Sequence, residues 1–252
     1  MSSFDASRFR QQLAAEALGR DLAVHQQLPS TMDAAHDALA RGAPHGHLVI
    51  ADAQTQGRGR RGRRWCAAPG RHLTFSVVLR DVGVEGLTLA AGLAVARTLE
   101  RFVRAPAKIK WPNDVWLGTP ARKAAGILVE ARSTGRPRDV VMGLGVNVGY
   151  ERWPEGIEAT SLHEHGATAR REDVLAALLG ELEESLGALR EDGVPAVVRQ
   201  VDQRLLWRGA VVSCDGVTGR LVGLDPSGAL VLTARDGPRR LRAGILRLAP
   251  SD

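Results

Sequence analysis

Residues 72–110 read HLTFSVVLRDVGVEGLTLAAGLAVARTLERFVRAPAKIK. The run from His72 to Leu79 is apolar and contains β-branched residues, which indicates a strand. Leu87 to Val103 has apolar residues at helical spacing and many alanines, which indicates an amphipathic helix. Ala107 to Lys110 reads as a second, shorter strand. A strand, a helix and another strand in this stretch predict an α/β domain.

Weaker patterns on both sides of this stretch extend the predicted domain. We expect helices at residues 6–18, 31–41, 171–189 and 196–206, with Ser30 as the N-cap of the second. We expect strands at residues 22–28, 48–51, 123–130 and 140–146, and a loop at residues 150–169. Because several successive strands are not separated by helices, the pattern favours a mixed or antiparallel sheet flanked by helices over a doubly wound sheet.

The residue pattern changes from about Trp207, where short apolar runs replace the longer helical patterns. The runs GAVVSC, GRLVGL and GALVLT are separated by the turn signals Asp215-Gly216, Pro226-Ser227-Gly228 and Asp236-Gly237-Pro238. This pattern predicts a small all-β unit that is too short to be stable alone and docks on the larger part. We therefore expect two units, residues 1–206 and residues 207–252.

Charge and composition narrow the functional classes. The formal net charge of +6 indicates an anionic partner, either nucleic acid or a phosphorylated small molecule. Cys66 and Cys214 form no C-x-x-C pair, which argues against structural zinc and a disulfide framework. The sequence shows no signal-peptide pattern and no long apolar run, so we expect a cytoplasmic protein without a membrane anchor.

Positive charge is densest at Gly57–Trp65, which reads GRGRRGRRW. Arginine binds phosphate and carboxylate groups bidentately and keeps its charge at neutral pH. The interleaved glycines let backbone N–H groups face an anion, but they also make the segment costly to order. We expect this arginine loop, residues 57–65, to be mobile when empty and ordered around an anion. The simpler alternative is a solvated basic loop.

Two further segments place polar groups at strand ends. Lys110-Trp111-Pro112-Asn113-Asp114 predicts a turn that presents an amide, a carboxylate and an indole together. Such a turn can read a base edge, stack on a ring or coordinate Mg²⁺ through Asp114, or it is an ordinary turn with a buried tryptophan. Lys123 begins an apolar strand near Gly126, and is either a clamp for carboxylate or phosphate or a surface lysine at a sheet edge.

A glycine-rich run, GLGVNVG, occupies residues 143–149. It lacks the spacing of a dinucleotide-binding turn, and we interpret it as a strand whose backbone lies against a ligand, with Asn147 supplying polar contacts. The sequence contains no Ser-His-Asp set and no H-E-x-x-H motif. The chemistry therefore depends on positive charge and positioning rather than on a side-chain nucleophile.

These segments follow one another in a recognisable order: Ser30-Thr31, Gln54-x-x-Gly57-Arg58-Gly59-Arg60-Arg61-Gly62-Arg63-x-Trp65, Lys110-Trp111-Pro112-Asn113-Asp114, Lys123-x-x-Gly126-Ile127-Leu128-x-Glu130 and Gly145-x-Asn147. This order resembles the biotin protein ligases, also called biotin–[acetyl-CoA-carboxylase] ligases. The resemblance runs from about Ser30 to the C-terminus. It implies a mixed sheet flanked by helices, followed by a small SH3-like β-barrel.

The resemblance also implies roles for the matching residues. Ser30, Thr31 and Gln54 would contact the ureido end of biotin, and Gly57, Arg58, Gly59, Arg60, Lys123 and Gly126 would bind biotin and its adenylate. Lys123, Arg60 and Arg58 would be the catalytic residues among them. Arg61, Arg63, Trp65, Asn113 and Asn147 would lie at ATP, and Asp114 in the Mg²⁺ region.

The implied reaction activates biotin with ATP and Mg²⁺ as biotinyl-5′-AMP, and then transfers biotin to a lysine of a biotin carboxyl carrier domain. The positive residues suit the first step, since two anions must be brought together. A loop that closes on its ligand suits the second step, since the adenylate must be kept from water until the acceptor protein arrives. The resemblance leaves open whether the enzyme is a monomer or a homodimer.

Some positions depart from the family pattern. Met32 stands where the family often has asparagine, and Arg247 matches an ATP-facing arginine only loosely. The 29 residues before Ser30 are about half of what a small independent domain needs. We therefore expect the monofunctional type, which has no DNA-binding domain and does not bind an operator.

Two alternatives to biotin ligation stay open at this point. A lipoate or octanoate ligase or transferase would share the architecture. A basic nucleic-acid-binding protein would share the charge, but the sequence shows no recognition helix and no aromatic platform among its five tryptophans, four phenylalanines and one tyrosine.

Overall fold

The computed structural model describes residues 3–131 and 139–250 and contains two β-sheets with helices around the larger one. The strands of the larger sheet are β1 (Leu22–Leu28), β2 (Leu48–Gln54), β3 (Leu73–Leu79), β4 (Ala107–Lys110), β5 (Asp114–Leu117), β6 (Arg122–Ala131) and β7 (Val140–Val146). The helices are α1 (Ala6–Gln12), α2 (Thr31–Ala40), α3 (Leu87–Phe102), α4 (Arg171–Asp192) and α5 (Val194–Gln203). The fold is therefore α+β, as the sequence predicts.

The larger sheet is mixed. Its strand order is β1-β2-β3-β7-β6-β5-β4, in which β1 and β2 are parallel and the other neighbours are antiparallel. Helices α3 and α4 pack on one another against one face, where the main apolar core lies. Helix α2 covers the opposite face through a smaller cluster that includes Met32, Val78 and Val141. Of the described helices, none is long and apolar enough to cross a lipid bilayer.

The α2 face is only partly covered by that helix. Along β7, Val141, Gly143 and Gly145 point to this face because side chains alternate along a strand. Val141 packs in the cluster under α2, whereas Gly143 and Gly145 carry no side chain and have the Met32 and Trp65 side chains lying over them. Within five residues, the same face of β7 therefore passes from the buried cluster at Val141 to the floor of a pocket at Gly143 and Gly145. This pocket is the candidate site.

Three expected helices have other bounds in the structure, and one strand was not expected. Helix α1 ends at Gln12 rather than at residue 18, because the carboxylate of Glu183 accepts hydrogen bonds from the backbone N–H groups of Glu16 and Ala17. Helix α4 ends at Asp192 rather than at Leu189, and helix α5 begins at Val194 rather than at Ala196 and ends at Gln203 rather than at Leu206. Strand β5 was not predicted, since its four residues follow directly on a turn.

A separate antiparallel sheet follows near the C-terminus. Its strands are β8 (Val211–Cys214), β9 (Val217–Leu224), β10 (Leu230–Ala234), β11 (Gly237–Leu241) and β12 (Leu246–Leu248), in the order β11-β10-β9-β8-β12. It docks close to the β4–β5 hairpin, where Trp111 Nε1 donates a hydrogen bond to the carbonyl of Gly228 at 3.0 Å. The predicted all-β sheet is confirmed, while the division at residues 206 and 207 stays a prediction.

Candidate functional site

The site is a pocket over the uncovered part of the α2 face. One side is the arginine loop, and the other is the hairpin wall, which we define as Lys110–Asp114, Lys123 and Gly126–Leu128. Gly143–Gly145 form the floor, and Gly244–Leu246 of the C-terminal sheet close one end. The predicted site residues that line it are Thr31, Gln54, Arg58, Gly59, Arg60, Arg61, Arg63, Trp65, Asn113, Asp114, Lys123 and Gly126.

The floor of the pocket requires glycine because Trp65 lies on it. A methyl group at Gly145 would be 2.2 Å from the Trp65 ring, and one at Gly126 would be 3.2 Å from it. Any side chain at position 145 would therefore displace the indole. The Trp65 Nε1–H group is buried and has no acceptor among the described residues. A half-buried indole that lines the pocket and has an unused donor is a group against which a flat, polar ligand can stack.

Polar groups at the α2 end of the pocket are organised by Thr31 and Gln54. The Thr31 backbone N–H and hydroxyl donate to Gln54 Oε1 at 2.8 and 3.2 Å, and Ser76 donates to the Thr31 hydroxyl at 2.9 Å. Ser30 does not line the pocket; it is buried, and its hydroxyl caps α2 by accepting from Met32 N–H. Met32 lines the pocket instead, with its side chain lying over Gly143.

The arginine loop forms a compact hairpin. Gly59 N–H donates to the Arg63 carbonyl at 2.7 Å, and Trp65 N–H donates to the Gly57 carbonyl at 3.0 Å. Arg60–Gly62 form a single 3-10 turn in which Arg61 has a φ of 55°, a left-handed conformation. Gly57 lies under the Trp65 carbonyl and is not part of the pocket lining. The hairpin places successive arginines in different directions.

Each of three arginines in the loop contacts a different part of the protein. Arg58 pairs with Asp33 at 3.0 Å and with Glu130 at 3.1 Å. Arg60 donates to Asn113 Oδ1 in the hairpin wall at 2.9 Å, and burial together with the charge of Arg61 lowers the Arg60 pKa. The loop is therefore attached to α2, to β6 and to the wall at once.

Arg61 makes the third attachment, to the C-terminal sheet. It donates to both carboxylate oxygens of Asp215, at 3.1 and 2.6 Å, and this contact lowers the pKa of Asp215. Asp215 also accepts a hydrogen bond from Ile245 N–H, next to the residues that close the pocket. Arg247, on β12, is exposed and outside the pocket lining.

The hairpin wall holds the reactive side chains on paired strands. Lys123 Nζ lies 2.9 Å from Asp114 Oδ1 and 5.6 Å from the centre of the Trp65 ring. Asn113 Nδ2 donates to Asp114 Oδ1 and to the Ile127 carbonyl, both at 3.1 Å, which fixes the turn against β6. Since an ammonium group has three donors, Lys123 can hold a ligand carboxylate while it contacts Asp114.

Asn147 lies behind the wall rather than in the pocket. It is buried, and its amide donates to the carbonyls of Lys123 and Thr160 at 3.3 and 3.0 Å. Both of its N–H groups are thereby used inside the protein. The expected direct polar contact from Asn147 to a ligand is therefore not what this geometry supports, and Asn147 instead holds the backbone that carries Lys123.

Asp114 is the one carboxylate among the described residues that line the pocket, which otherwise carries arginines and lysines. No group of three histidine, cysteine or acidic side chains in residues 3–131 and 139–250 is arranged to hold a metal ion. Mg²⁺ is commonly bound by one or two carboxylates together with substrate phosphates and water. Asp114 fits that kind of site, in which a nucleotide brings the remaining ligands.

Sequence reasoning named Met32 only as a departure from the family pattern, and it gave no role at the site to Lys110, Asp33, Glu130, Asp215 or Gly244–Leu246. Lys110 and Glu130 belong to motifs that were recognised, but no role followed from their positions. The carboxylates that hold the arginines are distant in sequence, so no local pattern signals them. Taken together, the pocket suits an elongated anion with a flat ring.

Comparisons with known proteins agree with this geometry. Residues 24–147 match the model of the biotin/lipoate A/B protein ligase family. The bifunctional ligase/repressor BirA of Bacillus subtilis is 30% identical over 262 residues, covering 96% of this chain and 78% of that protein. The biotin–[acetyl-CoA-carboxylase] ligase of Mycobacterium tuberculosis is 39% identical over 195 residues, covering 71% and 69%.

Solved structures show the same architecture. The biotin protein ligase of Aquifex aeolicus, in complex with biotin and ATP, superposes with a TM-score of 0.80 at 30% identity. The match covers 92% of this chain and 100% of that one. This chain thus has the same overall fold as a structure that holds both ligands.

Proposed function

This chain belongs to the biotin/lipoate A/B protein ligase family, and we propose that it is a biotin–[acetyl-CoA-carboxylase] ligase. It activates biotin with ATP as biotinyl-5′-AMP and transfers the biotinyl group to a lysine of an acceptor protein. The observation that carries this function is the pairing of Lys123 with Asp114 beside Trp65, in a pocket whose other charged side chains are all positive.

The first step joins two anions. An oxygen of the biotin carboxylate attacks the α-phosphorus of ATP, the bond to the bridging oxygen of the β-phosphate breaks, and pyrophosphate leaves with the electron pair. Lys123 holds the carboxylate, and Arg60 lies across the pocket against Asn113. These fixed positive charges offset the repulsion between carboxylate and phosphate and stabilise the charge that develops on the phosphoryl oxygens.

Mg²⁺ enters the reaction with ATP, and Asp114 would hold it. When bound, the ion neutralises phosphate charge and supports departure of pyrophosphate. Lys123 would then keep the carboxylate of biotin next to the metal-bearing turn. Asn113, which donates a hydrogen bond to Asp114, would keep the carboxylate of Asp114 oriented.

The second step forms an amide. The neutral ε-amine of the acceptor lysine attacks the acyl carbon of the adenylate, the bond to the phosphate oxygen breaks, AMP leaves with the electron pair, and the nitrogen releases one proton to solvent as the amide forms. Until that amine arrives, the mixed anhydride must be kept from water. The arginine loop covers the pocket and supplies this protection, and its attachments to Asp33, Glu130, Asn113 and Asp215 keep it closed.

The acceptor is the biotin carboxyl carrier domain of acetyl-CoA carboxylase or of a related carboxylase. Support for this choice comes from the Mycobacterium tuberculosis and Paracoccus denitrificans relatives, which are biotin–[acetyl-CoA-carboxylase] ligases.

Thr31 and Gln54 would bind the ureido ring of biotin at the α2 end of the pocket, since they offer a hydroxyl and an amide that are already oriented.

A pyrophosphate-release assay tests the function. The protein is incubated with Mg·ATP and either biotin, lipoate or octanoate, with and without a purified carrier domain. Of the three acids, we expect only biotin to give pyrophosphate release and, with the carrier domain present, a mass increase on one carrier lysine. Release that depends on lipoate or octanoate would transfer the assignment to another member of the family. No release with any of the three acids would overturn it.

A further inference from the structure

His72, the residue before β3, is buried and lies outside the lining of the pocket. Its Nδ1 accepts a hydrogen bond from the Val148 N–H group at 3.2 Å, and its Nε2 lies 3.4 Å from Glu151 Oε2. Because a backbone N–H group can only donate, Nδ1 carries no proton, and the Nε2–H group faces the carboxylate. Trp153 stacks on the ring, with 5.6 Å between the two centroids. The geometry therefore specifies one neutral tautomer of this imidazole.

The hydrogen bond to His72 fixes a chain segment that reaches Lys123. Val148 follows Asn147, whose side-chain amide donates to the Lys123 carbonyl at 3.3 Å. The backbone N–H group of Asn147 also donates to the carbonyl of Ala124 at 2.8 Å. The start of β3 is thus joined to the part of β6 that carries Lys123 through two hydrogen bonds and one peptide unit.

The charged groups around His72 come from several parts of the chain. Glu151 lies in the loop after β7, and Arg71 is the preceding residue. Arg171, at the start of α4, pairs with Asp52 at 2.7 Å and has its Nη1 3.5 Å from the His72 carbonyl. Burial lowers the pKa of His72, the hydrogen bond to Glu151 and its charge oppose this, and the two arginines lower it further. Just below the ordinary pKa of about 6.5, the folded chain therefore binds fewer protons than the unfolded chain, and acid works against the native arrangement.

We propose that His72 is a positioning residue for biotin activation, whose neutral imidazole holds the Asn147-Val148 segment so that Lys123 keeps its place in the pocket. This role rests on the proposed function. A proton on Nδ1 replaces the acceptor of the Val148 N–H group by a second donor, so two N–H groups would face each other in a buried space. The backbone beside Asn147 must then move, and Lys123 moves with it. His72 itself touches no substrate.

Two variants of His72 test this role. His72→Asn places an amide oxygen where Nδ1 lies and cannot be protonated, whereas His72→Leu removes the acceptor at every pH. Biotin-dependent pyrophosphate release is measured between about pH 8 and about pH 5, and the parental kcat/KM for biotin is divided by that of His72→Asn. This ratio cancels the titration of ATP and of other protein groups.

We expect the ratio to be close to one at pH 8 and to fall below about pH 6.5, by at least about threefold at pH 5. His72→Leu should stay roughly tenfold below His72→Asn throughout, because the buried Val148 N–H group has lost its acceptor. His45→Asn, which replaces an exposed histidine outside the pocket, is the control, and its ratio to the parent should not change with pH.

A ratio of parent to His72→Asn that is independent of pH would overturn the proposal. A fall that coincides with loss of the parental circular dichroism signal would overturn it as well, because acid unfolding alone would then explain the result.

Amide NMR of the parent gives a readout that needs neither activity nor a folded variant. The signals of Asn147 and Lys123 should shift over the pH range in which the His72 ring titrates. Signals that do not follow this titration, or a proton on Nδ1 at pH 8, would overturn the proposal. Absence of biotin-dependent release by the parent would defeat the proposed function instead, while the NMR titration still decides whether His72 holds Lys123.

Discussion

The arginine loop and the hairpin wall contact the same ligand space from opposite sides, but they are stabilised in different ways. The wall belongs to paired strands of a seven-stranded sheet, and Val115, Leu117 and Trp111 anchor it in the buried core. The loop has no core of its own: its long side chains are partly or fully exposed, and ion pairs with Asp33, Glu130 and Asp215 hold it.

Because its two sides are held differently, one site can be both rigid and able to open. Exposed ion pairs contribute little net stability and weaken further with salt, whereas a buried strand opens only with a large part of the fold. The wall therefore keeps Lys123 and Asp114 in a fixed geometry for chemistry. The loop can open to admit ligands and the acceptor lysine, and close in between.

The largest expected effect comes from the wall. Lys123→Ala removes the cation that holds the carboxylate, and we expect adenylate formation to fall by at least about a hundredfold, the scale of losing a preorganised electrostatic contact. Pyrophosphate release measures it, and circular dichroism checks the fold. Arg122→Ala, the exposed neighbour outside the pocket, is the control. Near-normal release by a folded Lys123→Ala protein would remove Lys123 from the reaction.

An intermediate effect is expected from the loop, and of a different kind. Arg60→Gly removes a charge-assisted contact and its bond to Asn113, so the adenylate is held roughly tenfold to hundredfold less tightly while its formation continues. Free biotinyl-5′-AMP in solution and biotin on unrelated bystander proteins measure the escape.

The matched control for the loop is Arg152→Gly, an exposed arginine in another loop and outside the pocket. It should retain the intermediate as the parent does. If Arg60→Gly retained the adenylate as tightly as the parent, the loop would not be the part that keeps it in place.

The smallest expected effect concerns the attachment of the loop to the C-terminal sheet. Asp215→Asn weakens the pair with Arg61, and because both side chains are exposed we expect cleavage of the loop by an arginine-specific protease to rise by no more than about fivefold. The double variant Arg61→Asp with Asp215→Arg should return the rate towards that of the parent. An acceleration far above this range would show that the C-terminal sheet, and not the loop itself, controls opening.

The sequence predicted the central strands of the larger sheet better than the contacts of the loop. Strands β3, β6 and β7 have long apolar runs whose pattern is local, and the expected bounds agree closely with the structure. The hairpin that includes β5 was missed because four residues after a turn carry no periodicity of their own. The glycine-rich run was interpreted as a strand whose backbone lies against a ligand, and this contact stays a prediction. In the structure Met32 lies over Gly143 and Trp65 lies over Gly145.

The contacts of the arginine loop were beyond local reasoning. Composition indicates that Gly57–Trp65 binds an anion, but the carboxylates that pair with its arginines come from α2, β6 and the turn after β8. Only the tertiary fold brings them together. For the same reason Asn147 was assigned to the ligand, because nothing in its own neighbourhood shows that Lys123 and Thr160 use its amide.

The most direct test of this division between loop and wall is amide hydrogen exchange, followed by mass spectrometry on peptides covering residues 57–65 and 122–131 of one sample. We expect biotin with Mg·ATP to slow exchange in the loop peptide strongly, while the wall peptide is protected to the same extent with and without ligands. If ligands left exchange in the loop unchanged, or if the wall gained protection together with the loop, the loop would not be the part of the site that opens and closes.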